Sequence, residues 1–115
     1  MDLSHLDELL DHGDVGTVVA TIGTTRFGSQ DPLPGILERA GQTGIRVHAD
    51  AAYGGYFTLA SMLEENPRAV FDRMSDVDSI VIDPHKHGLQ PYGCGCVLFR
   101  DPAEGRFYRH DSPFT

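Results

Sequence analysis

The chain has 115 residues, which suffices for one domain but not two, and 40% of them are hydrophobic. Its nine basic and 17 acidic residues give a net charge of −8, so we expect neither a nucleic-acid nor a membrane partner. Two closely spaced cysteines, Cys94 and Cys96, and an acidic N-terminus without a signal-peptide pattern predict a protein of the reducing cytoplasm.

The first half of the chain alternates between helical and strand patterns. A helix is predicted over 4–10, with Ser4 as its N-cap. A β-branched strand is predicted over 15–22, and its nearly continuous apolar run indicates that both of its faces are covered. A second helix should run over 32–41, with Asp31 as its N-cap.

The second half continues the same alternation. Its predicted elements are strands over 45–50, 78–82 and 94–99, and short helices over 56–63 and 67–74. Strands that alternate with helices predict a parallel sheet. The segment over 83–93 is too short for a parallel crossover, so the last strand should be antiparallel. The predicted fold class is therefore α/β, with a mostly parallel sheet and an antiparallel last strand.

Polar side chains lie where three of these strands end. Thr25 follows the first strand, Asp50 ends the second and Lys86 follows the third. In open α/β sheets, ligands bind just beyond the carboxyl ends of the strands. We therefore expect these three side chains to meet at one rim of the sheet.

Two of these side chains have reactive or charged groups suited to a pocket. Lys86 is the sole lysine of the chain, and a lysine in a closed pocket can lose its proton and attack a carbonyl. Asp50 would add a fixed negative charge there. The alternatives are an ordinary surface lysine for Lys86, and a helix cap or salt bridge for Asp50.

The sequence contains two other groups of candidate functional residues. Four candidate nitrogen and sulfur ligands occur close together, namely His85, His87, Cys94 and Cys96. Their spacing matches known zinc patterns poorly, so we predict no metal site and expect both cysteines to pack on one side of a strand. His48 and Asp50 could form a catalytic dyad, but no serine or cysteine is placed as their nucleophile.

Taken together, these segments resemble the pyridoxal-phosphate-dependent group II amino-acid decarboxylases. The matching segments are 23–25, 31–32, 48–55, 78–86 and 91–95. The resemblance covers almost the whole chain. It implies part of the three-layer α/β/α large domain of a fold-type I enzyme, with residues 1–115 as the C-terminal half of that domain. The upstream half and the small C-terminal domain would lie outside this chain.

The resemblance also implies roles for individual residues. Lys86 would form the internal aldimine with pyridoxal phosphate, and Asp50 would pair with the pyridine nitrogen. Ala52 would lie against one face of the ring, where a larger side chain would collide. His85 would hold the phosphate or orient the lysine, and Thr25 would lie beside the cofactor. Lys86 and Asp50 are thus the expected catalytic residues.

The activity implied by the resemblance is decarboxylation of an L-amino acid to its amine. The full-length enzyme would be a homodimer, and the 115 residues alone would be inactive. The alternatives are another fold-type I activity, such as a carbon–carbon lyase or an aminotransferase-like enzyme, and a truncated, non-catalytic remnant. One departure is that His87 and Gly88 follow the lysine, where family members usually have two bulky apolar residues, often beginning with Trp.

Overall fold

The structure, a computed structural model, describes residues 1–109. Its α-helices are α1 (Leu3–Asp11), α2 (Leu33–Thr43) and α3 (Glu65–Asp72), and its strands are β1 (Thr17–Thr21), β2 (Arg46–Asp50), β3 (Ser79–Ile82) and β4 (Cys96–Phe99). Short 3₁₀ helices span Gly55–Leu59, Met74–Asp76 and Pro102–Phe107. Over this range, no helix has the length and apolar character needed to cross a bilayer.

The four strands form one sheet in the order β1-β2-β3-β4. The first three strands are parallel, with Thr21 opposite Asp50 in the register of β1 and β2. β4 runs antiparallel to β3 and places Cys96 opposite Ile82. The predicted α/β class, the mostly parallel sheet and the antiparallel last strand are confirmed.

The helices pack on one face of this sheet. Alternate strand residues form the core with residues from all three helices, and the buried set includes Val18, Ala20, Val47 and Ala49 with Leu6, Leu33, Ile36, Val70 and Phe71. The opposite face of the sheet is open, and Val19 on β1 is 52% exposed there. Within residues 1–109, β1 is therefore covered on one face, and these residues do not supply the cover that its apolar run predicts for the other face.

Both predicted helix caps were wrong. The side chain of Asp2, not Ser4, caps α1 and accepts the backbone N–H of Ser4 at 2.8 Å. Asp31 does not cap α2, which begins at Leu33 without a side-chain cap. Its Oδ2 instead accepts the backbone N–H of Thr21 at 2.7 Å. A carboxylate accepts whichever backbone N–H groups the chain brings near it, and the tertiary fold selects these donors.

Element boundaries also differ in several places. α2 continues past Gly41 and ends before Gly44, whose φ of +75° is the left-handed conformation that glycine adopts readily. The predicted short helix over 56–63 is a 3₁₀ helix confined to Gly55–Leu59. β4 begins at Cys96, two residues later than predicted. α3 is shifted by two residues toward the N-terminus relative to its prediction.

The loops after β1 and β2 meet through their backbones. A Cβ atom on Gly23 would lie only 2.7 Å from the Gly54 Cα, and one on Gly54 would collide with the carbonyl oxygen of Ile22. Gly23 also has a φ of +85°, which side-chain-bearing residues rarely adopt. Glycine at both positions therefore lets the two strand ends approach each other.

We predict that Gly54→Ala lowers the free energy of unfolding by about 1–3 kcal/mol or more, because the added methyl group overpacks a backbone contact. Gly41→Ala is the matched control, since a Cβ on Gly41 meets no atom within 4 Å. That control should raise stability by up to about 1 kcal/mol. Urea unfolding followed by circular dichroism measures both changes. Equal stability of the two variants would contradict the close contact.

A second prediction concerns the edge of the sheet. β1 is an edge strand with an open face, and such strands pair readily with other chains. The isolated chain should therefore associate, and Val19→Lys should reduce the association by placing a charge on that strand. Met62→Lys, at a position that is 94% exposed outside the sheet, adds the same charge as a control. Size-exclusion chromatography with light scattering measures the effect, and a monomeric wild-type chain would refute the prediction.

Candidate cofactor site

Backbone hydrogen bonds continue beyond the strand ends and hold three loops together. The N–H of Ile22 donates to the carbonyl oxygen of Asp50 at 2.8 Å, which joins the ends of β1 and β2. The N–H of Asp83 donates to the carbonyl oxygen of Ala52 at 3.2 Å, which joins the segments that follow β2 and β3. The carboxyl ends of three parallel strands are thereby held at one rim.

A pocket of about 270 Å³ lies at this rim. Its lining consists of Thr21, Gly23, Thr24, Thr25, Asp50, Ala52, Tyr53 and Lys86. Four of the five predicted site residues are therefore brought together, from the ends of three different strands. The pocket volume is close to the lower end of the range for small-molecule sites, about 300 Å³.

The carboxylate of Asp50 is held by the turn that follows it. Asp50 is half-buried, and its Oδ1 accepts the backbone N–H of Ala52 at 3.2 Å. This bond orients the carboxylate at the pocket wall and fixes the small side chain of Ala52 beside it. The Nδ1 atom of the nearby His48 lies 2.7 Å from the hydroxyl oxygen of Ser79, which agrees with the low weight given to a His48–Asp50 dyad.

Lys86 has a carboxylate partner that the sequence reasoning missed. Its Nζ lies 2.7 Å from Oδ2 of Asp83, whose side chain is 18% exposed. The Lys86 backbone N–H also donates to the carbonyl oxygen of Asp83 at 3.0 Å, so one turn brings both groups together. The three-residue spacing between Asp83 and Lys86 was the signal in the sequence for this ion pair. That spacing identifies a pair only when the residues between them are known to form a turn.

His85 lies next to Lys86 but is absent from the pocket lining described above. Its Nδ1 is 2.6 Å from the carbonyl oxygen of Cys94, and its ring stands edge-on to Tyr92. Its role toward a phosphate stays a prediction.

Cys94 is exposed and Cys96 is half-buried. The expectation that both cysteines pack on one side of a strand was wrong, because β4 begins only at Cys96.

Over residues 1–109, no group of three His, Cys, Asp or Glu side chains is arranged to hold a metal ion. A larger, apolar cavity of about 700 Å³ lies between the loop after β1 and α3. Asp31 is the titratable residue in its lining, and its carboxylate already accepts the Thr21 N–H. The smaller pocket, which combines an amine with a carboxylate, is therefore the better candidate for chemistry.

The comparison with known families agrees with this geometry. The family described as the pyridoxal-dependent decarboxylase conserved domain matches residues 4–105. The match covers well over half of the chain, so the chain belongs to the pyridoxal-dependent decarboxylase family. The cofactor associated with that family is pyridoxal phosphate.

Individual relatives support the same assignment. The chain is 37% identical over 119 residues to L-2,4-diaminobutyrate decarboxylase of Acinetobacter baumannii, covering 99% of this chain and 22% of that protein. The chain also superimposes, with a TM-score of 0.77 at 32% identity, on a domain from Vibrio parahaemolyticus. That domain is the glutamate decarboxylase domain of diaminobutyrate-pyruvate transaminase and L-2,4-diaminobutyrate decarboxylase. The superposition covers 94% of this chain and 24% of that one.

A third relative has a different name. The sphingosine-1-phosphate lyase of Burkholderia pseudomallei superimposes with a TM-score of 0.76 at 27% identity, covering 91% of this chain and 24% of that one. This chain therefore spans roughly a quarter of the length of the relatives compared here.

The pocket residues fit pyridoxal phosphate. Lys86 would supply a primary amine for the cofactor aldehyde, and Asp50 would supply a carboxylate for a protonated ring nitrogen. Ala52 leaves room for a flat ring, and Thr25 contributes a hydroxyl group at the exposed side of the pocket. These groups suit the aldehyde and the ring of the cofactor.

Proposed function

We propose that this chain forms the lysine-bearing C-terminal half of the large domain of a pyridoxal-phosphate-dependent amino-acid decarboxylase. In the reaction, the bond between Cα and the carboxylate of an L-amino acid breaks, carbon dioxide leaves, and Cα gains a proton to give the amine. The observation that carries the proposal is the shared pocket of Lys86 and Asp50, which lie on different strand ends. The 115 residues alone are proposed to be inactive, because the pocket lining supplies only part of a binding site.

Pyridoxal phosphate supplies an aldehyde and a ring that accepts the electron pair left by the departing carbon dioxide. In this proposal, Lys86 would hold the cofactor through its Nζ. The Asp50 carboxylate keeps a proton on the ring nitrogen, since an adjacent negative charge favours the charged form of that nitrogen. Ala52 and Tyr53 form walls that limit movement of the ring.

A second candidate function is a carbon–carbon lyase or another fold-type I activity. The similarity to a sphingosine-1-phosphate lyase favours this alternative, because its superposition is nearly as close as that of the decarboxylase domain. The intact protein should be supplied with a panel of L-amino acids, and both carbon dioxide and amine should be measured. Stoichiometric release of both supports decarboxylation. Cleavage to an aldehyde without carbon dioxide supports the alternative.

We also propose that the intact enzyme is a homodimer of the cytoplasm. The dimer is supported by the family resemblance. The cytoplasm is supported by Cys94 and Cys96, which are free thiols, because an exposed thiol such as that of Cys94 persists in reducing compartments.

We predict that Lys86 is the residue that bonds to pyridoxal phosphate in the intact protein. It is the primary amine of the pocket, and Asp83 holds it at the turn after β3. Borohydride reduction followed by peptide mass mapping should place the pyridoxyl mass on Lys86. Lys86→Arg keeps the charge but cannot form the bond, so it should give no such adduct. An adduct on another lysine would refute the assignment.

We predict that Asp50→Ala retains much of the cofactor but lowers turnover by about 10²-fold or more, as expected when a charge that stabilises the transition state is removed. Asp72→Ala is the matched control, because Asp72 is an exposed carboxylate on α3 that pairs with Arg68. The control should keep wild-type turnover. Absorbance measures the bound cofactor, and amine production measures turnover. Wild-type turnover in cofactor-loaded Asp50→Ala would exclude the proposed role.

A further inference from the structure

The two residues that follow Lys86 lie against a cluster of aromatic rings. The ring of His87 stands edge-on to Tyr53, with centroids 4.4 Å apart and an interplanar angle of 81°. The same ring lies 4.7 Å from Phe57 at a tilt of 48°. Both partners come from the segment after β2, whereas His87 follows β3. The contacts therefore join two of the three loops that build the pocket.

Gly88 continues this contact through its backbone. A Cβ atom at Gly88 would lie 2.5 Å from both Cζ and the hydroxyl oxygen of Tyr56. The absence of a side chain thus lets the segment between β3 and β4 (residues 83–95), which we call the lysine loop, lie directly against that ring. We call the three rings of Tyr53, Tyr56 and Phe57 the aromatic platform.

The aromatic platform is connected to the reacting group. Tyr53 lines the same pocket as Lys86, so His87 contacts a residue that forms part of the pocket wall. The lysine loop has little regular structure of its own, and Leu89 adopts a φ of +56°, which is uncommon for a non-glycine residue. Backbone hydrogen bonds such as that from the Gln90 N–H to the carbonyl oxygen of Pro84 at 3.0 Å close its turns, and the ring contacts of His87 add a connection to the segment after β2.

We propose that His87 is a positioning residue that docks the lysine loop onto the aromatic platform and so fixes Lys86 and Tyr53 relative to each other. The meaning of this role for the reaction rests on the proposed function. The His87 ring packs edge-on against Tyr53 and at a tilt against Phe57, and a favourable edge-on aromatic pair shifts an equilibrium by about twofold to tenfold. The bulky apolar residue usual in the family is thus replaced by another flat ring.

The test compares four variants of the intact protein that carries this chain. His87→Ala removes both ring contacts, and His87→Phe keeps a flat ring without its nitrogens. Phe57→Ala removes one contact at a position that is already 40% exposed. His12→Ala removes an exposed histidine at the end of α1 and serves as the control.

The first readout uses protein without cofactor. Lys86 is labelled with an amine reagent, and its rate is read by mass on the peptide that contains it. His87→Ala should label about twofold to tenfold faster, because the turn that carries the amine is no longer fixed against the ring of Tyr53 in the pocket, and Phe57→Ala should show a smaller increase. His87→Phe and His12→Ala should label at the wild-type rate. A role in stability alone would lower the melting temperature without changing this rate.

The second readout is the affinity for pyridoxal phosphate, which should fall by about twofold to tenfold in His87→Ala and recover in His87→Phe. Wild-type labelling and affinity in folded His87→Ala would overturn the proposal. Should His87→Ala fail to fold, an unchanged labelling rate in Phe57→Ala would overturn it instead. A wild-type protein that takes up no pyridoxal phosphate would contradict the proposed function, while the labelling rates would still decide the role of His87.

Discussion

The contact between Gly23 and Gly54 is the constraint on which the candidate site depends. The loops after β1 and β2 touch backbone to backbone there, without space for a side chain on either residue. This approach brings Thr25, from the loop after β1, into one pocket with Asp50 and Ala52, from the end of β2. A larger residue at either glycine would separate the loops and widen the pocket, because close-packed backbone has little freedom to yield.

The segment after β3, which contributes Lys86 to the pocket, is held by different interactions. The loop that carries Lys86 is tied to the segment after β2 by the hydrogen bond from Asp83 to Ala52 and by the contacts of His87 with the aromatic platform. It is also tied to the segment before β4, because the His85 N–H donates to the carbonyl oxygen of Cys94 at 3.1 Å. The segment that leads into the antiparallel strand β4 thus helps to hold the residue next to Lys86 in place.

The open face of the sheet bears on the proposed function. Asp50 lies on the same side of β2 as His48, and Val19 occupies the corresponding side of β1 opposite His48. A carboxylate that is to hold a proton on a bound ring acts most strongly where water is excluded. In the described residues this face is uncovered, which agrees with the proposal that the chain is one part of a larger catalytic domain.

The sequence by itself determined the α/β class, the antiparallel last strand and the meeting of Asp50 and Lys86 at one rim, because strand ends and connection lengths are local properties. Tertiary structure alone decided which groups contact one another there. Asp31 binds the Thr21 N–H instead of capping α2, and Asp83 pairs with Lys86. A carboxylate can accept many donors, and its choice among them depends on the turns and the packing of the folded chain, which residue patterns along the chain do not record.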